Sequence, residues 1–280
     1  MKKILLALTA AAAFTGSAYA ADLPARMPVK AVPPPPPIAT WTGCYVGGGG
    51  GYGLWDQQNT GYLEPNGFVP GNGLRILAPV TTRTRITETV DTGGRGYFGT
   101  VQGGCDYQFG LGAQQFVIGA QADYDFDSLK GNHNPPGTDL WAQEKMSSAW
   151  AVGGRIGWLA FPQLLTYFSA GYTEAKFDQQ NYTNLIGPPF GVATGLSTLG
   201  RTYHGWYIGG GDEYAISWVP GLFWKTEYRV SEFNVATNPL VFTATGLPTI
   251  YSEDSKKWVQ TVRSELVYRF NWGGPLVAKY

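Results

Sequence analysis

Cysteine, histidine and charge are scarce in this chain. Two cysteines and two histidines occur in 280 residues, and only 14% of positions are charged. Two isolated thiols, with no histidine close to either in sequence, are too few to close a metal site. The formal net charge is zero, so nothing draws the chain to nucleic acid or to an acidic substrate. The apolar run Ile4 to Phe14 falls short of the roughly 20 residues that a membrane-spanning helix needs. Preceded by Lys2 and Lys3 and followed by Ala18-Tyr19-Ala20, it reads as a secretory signal peptide over residues 1–20, removed after Ala20. In the oxidising compartment that an exported chain meets, Cys44 and Cys105 read as a disulfide.

No catalytic constellation is expected either. His133 is placed in an external loop and His204 near the outer end of a strand, and neither has a serine and a carboxylate beside it in sequence. Asp139 and Glu144 are the carboxylates positioned to approach His133. The glycine run Gly47 to Gly53 is followed by Trp55-Asp56-Gln57-Gln58-Asn59, where a phosphate-cradling loop would need a helix. Glycine there fits close packing or tight bending of a sheet. We therefore expect no enzyme, no cofactor and no metal.

What is abundant is aromatic residues and glycine: 10 Trp, 17 Tyr, 14 Phe and 39 Gly. Their arrangement is clearest in Lys257 to Phe270. Trp258, Gln260, Val262, Ser264, Leu266, Tyr268 and Phe270 share one phase, whereas Arg263, Glu265 and Arg269 lie in the other. An apolar face with aromatics at both ends suits a strand that faces lipid and puts its rings at the two membrane interfaces. Alternation recurs over residues 96–109, 114–127, 145–160, 202–215 (where the outward phase includes Asp212) and 222–233. The glycine-rich residues 42–55 read as a further strand, and over 164–177 both phases mix apolar and polar residues, with Phe168, Ala170 and Tyr172 expected outside. Very short connections at Gly110 to Gly112, Phe161 to Gln163 and Ser217 to Gly221 alternate with long ones over residues 56–95, 128–144, 178–201 and 234–256. Eight membrane-crossing segments joined in this way predict an all-β, eight-stranded, antiparallel up-and-down transmembrane barrel. The short turns would lie in the periplasm and the long loops outside. A soluble lipocalin-like barrel is the competing fold. The proline-rich stretch 21–40 reads as a periplasmic tail, residues 41–270 as the barrel, and residues 271–280 as an extension.

Polar phases facing inward would place Arg155, Lys225, Glu227, Arg229, Arg263 and Glu265 in the lumen, where unpaired charge is costly. A closed network is expected, with Arg155, Glu227, Arg263 and Glu265 at similar heights. Pairing of the last two strands should set Glu227 beside Glu265 and Arg229 beside Arg263, with Arg155 between the carboxylates. The interior of an eight-stranded ring is just wide enough for side chains to fill, so these pairs would block it.

Three stretches carry a family resemblance: Trp41-Thr42-Gly43-Cys44-Tyr45-Val46-Gly47, Trp206 through Tyr214, and Leu266-Val267-Tyr268-Arg269-Phe270. They resemble OmpA-like eight-stranded outer-membrane barrels, and in particular the alphaproteobacterial porin-family surface proteins. The resemblance implies a bacterial outer-membrane location, contact with outer-membrane lipid and lipopolysaccharide, and handling by the barrel-assembly machinery, with Phe270 or Tyr280 as its signal. It implies a structural or surface-interaction role, with a ligand met by the external loops; a small-solute porin is the alternative.

Overall fold

The computed structural model describes residues 40–65, 67–69, 75–76, 81–184 and 191–270. The expected signal peptide, nearly all of the proline-rich tail and the 271–280 extension lie outside the described residues. Five long strands come first: β1 (Gly43–Leu63), β2 (Val90–Leu111), β3 (Gln114–His133), β4 (Leu140–Phe161) and β5 (Leu164–Phe177). Two short strands follow, β6 (Gln180–Asn184) and β7 (Ala193–Thr198), then β8 (Arg201–Ala215), β9 (Leu222–Phe233), β10 (Ala236–Phe242) and β11 (Pro248–Phe270).

Antiparallel pairing runs β1-β2-β3-β4-β5-β8-β9-β11 and closes when β11 returns to β1, with Cys44 opposite Phe270 and Leu63 opposite Tyr251. The result is a closed ring of eight strands, which leaves no edge to template aggregation. Its tight turns fall where the sequence predicts them. Gly112 sits at φ 62° in one of them, a left-handed conformation that glycine adopts without a Cβ penalty.

The expected long loops need correction, because most of their residues are strand. At the far end β5, β8 and β9 stop near Phe177, Arg201 and Phe233, while β1, β2, β3, β4 and β11 continue. The gap is filled by β6, β7 and β10: β6 pairs with β4 and β7, β7 with β10, and β10 with β11. A second closed ring thus stands on the first and shares five strands with it. Strands of 20–23 residues are about twice the 9–11 residues that cross a bilayer, so the second ring projects beyond the membrane. There, the outward face of a strand meets water in place of lipid. His133, expected in a loop, ends β3 and is 1% exposed.

Outward-facing positions of the first ring are apolar and exposed: Ile118, Val152, Phe168, Ile208, Val262 and Leu266 are typical. Aromatic residues bracket this band, as in Trp158 and Trp150 on β4 or Tyr268 and Trp258 on β11. The few polar groups on this face find one another. Trp224 Nε1 donates to Ser264 Oγ at 2.8 Å, Tyr228 Oη to Gln260 Oε1 at 2.8 Å, and Thr166 Oγ1 to Asp212 Oδ1 at 2.6 Å. Cys44 and Cys105 lie directly opposite each other on β1 and β2, outward and toward the short-turn end, and are joined as a disulfide.

Candidate functional site: the layered lumen

The inward phases stack in alternating layers. At the short-turn end an apolar floor holds Trp41, Val117, Leu165, Phe223 and Val267. A second apolar layer higher up holds Trp55, Phe98, Leu129, Phe177, Phe233 and Val259. Above it, in the second ring, Tyr182, Leu196, Leu240 and Tyr251 form a third. Charged side chains fill the spaces between these layers.

The lowest charged layer is a ring of four. Arg155 Nε donates to Asp106 Oδ1 at 2.9 Å, and Arg155 Nη1 donates to Glu213 Oε2 at 3.0 Å. Arg269 completes the circuit from the other side, with Nη1 on Asp106 Oδ2 at 2.7 Å and Nη2 on Glu213 Oε1 at 2.7 Å. All four are at most 6% exposed, and two guanidinium forks against two carboxylates leave no formal excess of charge. The rings of Tyr45 and Tyr167 lie under Arg155, at 4.7 and 5.1 Å from its guanidinium carbon, a favourable contact for a cation.

Glycine makes room for this layer. A Cβ at Gly119 would collide with the Asp106 carboxylate. One at Gly49, on the strand beside the next layer, would meet the backbone of Ser264 and Glu265.

The next layer up contains the other five predicted lumen charges. Lys225 Nζ is 3.4 Å from both Glu227 and Glu265, and it donates to Gln102 Oε1 at 2.6 Å. Arg229 grips Asp123 with two bonds of 2.9 Å and also reaches Glu227 at 2.8 Å. Arg263 bridges Asp123 and Asp125 at 3.2 and 3.0 Å. Tyr167 Oη donates to Glu227 Oε2 at 2.8 Å. A cavity of about 20 Å³, the size of a water site, is lined by Asp123, Asp125, Arg229 and Arg263 among others.

The expected partners within this set are corrected by the register. Glu227 faces Arg263, Lys225 faces Glu265, and Arg229 faces Thr261. Opposite charges therefore adjoin directly, and no intermediary is needed. Arg155 is not between Glu227 and Glu265; its partners are Asp106 and Glu213, one layer lower. Asp106, Asp123, Asp125, Glu213 and Arg269 complete the network and were not among the predicted site residues. Charge balance was the available signal, since four cations cannot be buried with two carboxylates alone.

A third charged cluster lies in the second ring, beyond the membrane. Lys257 Nζ donates to Glu144 Oε1 at 2.7 Å and to Gln57, whose Nε2 donates to Glu144 Oε2 at 2.6 Å. His133 Nε2 lies 3.0 Å from Glu253 Oε1, and its Nδ1 is 4.0 Å from Glu144. Burial alone would lower the pKa of His133, but the Glu253 carboxylate, helped by Glu144, raises it above the ordinary value. Burial pushes Glu144 up; Lys257 and His133 outweigh that and leave it below the usual carboxylate range. Asp139 is exposed and takes no part. His204 is on the outer face, 2.9 Å from both Glu174 and the Tyr172 hydroxyl.

A closed ring with an outward apolar band, aromatic borders and a charge-filled interior defines a transmembrane β-barrel, and this one is a protein of the bacterial outer membrane. No family model matches the chain. It is similar to the 31 kDa outer-membrane immunogenic protein of Brucella melitensis, 27% identical over 226 residues that cover 78% of this chain and 82% of the relative. Among solved structures it is similar to the outer membrane protein OprG from Pseudomonas aeruginosa, with a TM-score of 0.41, 9% identity, and coverage of 84% of this chain and 100% of that one. It is also similar to Ail, the attachment invasion locus protein of Yersinia pestis, with a TM-score of 0.28, 9% identity, and coverage of 78% and 98%.

Proposed function

We propose that this protein is a closed, non-catalytic element of the outer-membrane wall whose projecting second ring makes the contacts at the cell surface. The carrying observation is the sealed lumen. A solute crossing the first ring would have to break the Arg155–Asp106–Arg269–Glu213 circuit, which is buried and doubly bonded at each cation. It would then have to displace the apolar layers on either side. Parting paired, desolvated charges costs several kcal/mol per uncompensated group, of the order of 3–5 kcal/mol.

The OmpA-like reading rests on the eight-strand ring together with the three sequence stretches that carry the resemblance. Outer-membrane lipid, lipopolysaccharide and the assembly machinery follow from it as partners. The non-catalytic reading rests on the histidines: among the described residues, neither has a serine or cysteine nucleophile as a hydrogen-bond partner. Conductance in a planar bilayer tests the sealed lumen. The purified protein should give silence or rare flicker, and a steady, reproducible open level would support a porin instead.

A further inference from the structure

The outer face just beyond the aromatic border carries a row of cations that the barrel itself does not explain. Arg95 on β2 lies directly opposite Lys130 on β3, and Lys130 directly opposite Lys145 on β4. Lys176 on β5 follows on the next strand, opposite Ser148 of β4. Arg95, Lys130 and Lys176 are exposed, and Lys145 is half-buried, on the face that carries Tyr97, Phe126, Trp150 and Tyr172 nearer the membrane centre. Among the described residues, Asp178 is the one carboxylate in an ion pair with this row, 3.7 Å from Lys145.

Side chains directly opposite on neighbouring strands have Cβ atoms only about 5 Å apart, and like charges so placed destabilise the sheet. Three cations in line therefore call for an anion shared between them. The position states which kind of anion is at hand. Aromatic rings settle at the membrane interface, so side chains two to five residues farther along the same strands reach the headgroup layer. The adjoining arc of the ring is different: β1 exposes Asp56 opposite Gly93, β2 exposes Asp91 beyond Arg95, and on β11 Lys256 is taken up by Glu232 at 2.6 Å.

We infer that Arg95, Lys130, Lys145 and Lys176 form a one-sided binding site for the phosphate groups of a phosphorylated glycolipid in the outer leaflet. Resting on the outer-membrane reading above, the site assigns its lipid contact to one arc of four strands. Two or three phosphate oxygens would lie between neighbouring cations as charge-assisted acceptors, while the acyl chains lie along Phe126, Trp150 and Tyr172.

Native mass spectrometry of the folded protein in detergent, titrated with diphosphorylated lipid A and with its dephosphorylated form, tests this. The parent should retain the phosphorylated lipid by about tenfold or more over the dephosphorylated one. The combined variant Arg95→Gln, Lys130→Gln, Lys145→Gln should lose that preference while keeping the heat-dependent gel mobility of a folded barrel. Asp56→Asn with Asp91→Asn should keep the preference. Equal retention of both lipids by the parent, or an unchanged preference in the triple variant, overturns the site. So does displacement of the lipid by millimolar inorganic phosphate, which would mean a site for the free ion. The assay is independent of which leaflet the row faces. Labelling of Ala244→Cys, exposed at the hairpin end beyond β10, on intact cells with a membrane-impermeant thiol reagent reports that separately, and its failure would count against the outward orientation alone.

Discussion

At the scale of single residues, Arg155 and Gly119 illustrate opposite demands on the same space. Arg155 serves two carboxylates that come from β2 and β8. Replacing it with alanine leaves Asp106 and Glu213 to share Arg269 in a dry layer. The expected loss is about 3–5 kcal/mol, read as a lower unfolding temperature in detergent. A side chain at Gly119 does the reverse, since its Cβ would occupy the place of the Asp106 carboxylate. Gly119→Val should therefore destabilise the barrel through the same layer, and combining it with Arg155→Ala should cost less than the sum of the two alone. Additivity of the two would show that the layer does not act as a unit. The disulfide is a separate expectation at this scale: the unreduced protein should offer no alkylatable thiol, and two would dismiss the Cys44–Cys105 pair.

The element scale shows where sequence patterns speak and where they fall silent. Leu222–Phe233 has the bounds that its alternation predicts, because one face meets lipid and the other meets the lumen, whereas Leu164–Phe177, whose phases mix apolar and polar residues, has the bounds that its flanking turn and loop predict. The far half of β1, Asp56-Gln57-Gln58-Asn59-Thr60-Gly61, is strand with the same two-residue period of burial, yet both of its faces are polar. Outside a bilayer the outward face no longer needs to be apolar, so the contrast that marks a strand disappears. Lumen charges were legible by phase for the same reason that the strands were. Their partners were not, because β9 and β11 are linked by a long connection rather than a tight turn, and register between such strands is free of local turn geometry. The cluster around His133 carries a further expectation. Its pKa is raised in the folded protein from an ordinary value of 6.5, so its contribution to stability is complete below about 6.5 and fades as pH rises through the folded value. As pH rises above about 6.5, the protection of amides near His133, Glu144 and Glu253, taken as the exchange rate relative to the intrinsic rate at each pH, should fall. His133→Gln should flatten that dependence; an unchanged profile would assign it to other groups.

For the whole molecule, orientation and construction are the open quantities. Protease added to intact cells should cut the exposed Thr243 to Leu247 hairpin end beyond β10 and spare Trp218, which is 81% exposed in the β8–β9 turn at the opposite end. Cleavage at Trp218 alone would invert the barrel. The exchange of β5, β8 and β9 for β6, β7 and β10 has another consequence. Every residue of the three incoming strands lies past the membrane ring, so mutation there can resculpt the face shown to the surroundings while leaving each bilayer contact as it was. The protein is built as a separable head on a membrane-embedded shaft, and replacing Gln180–Thr198 by a short turn should alter what the cell displays without costing the shaft its place in the membrane.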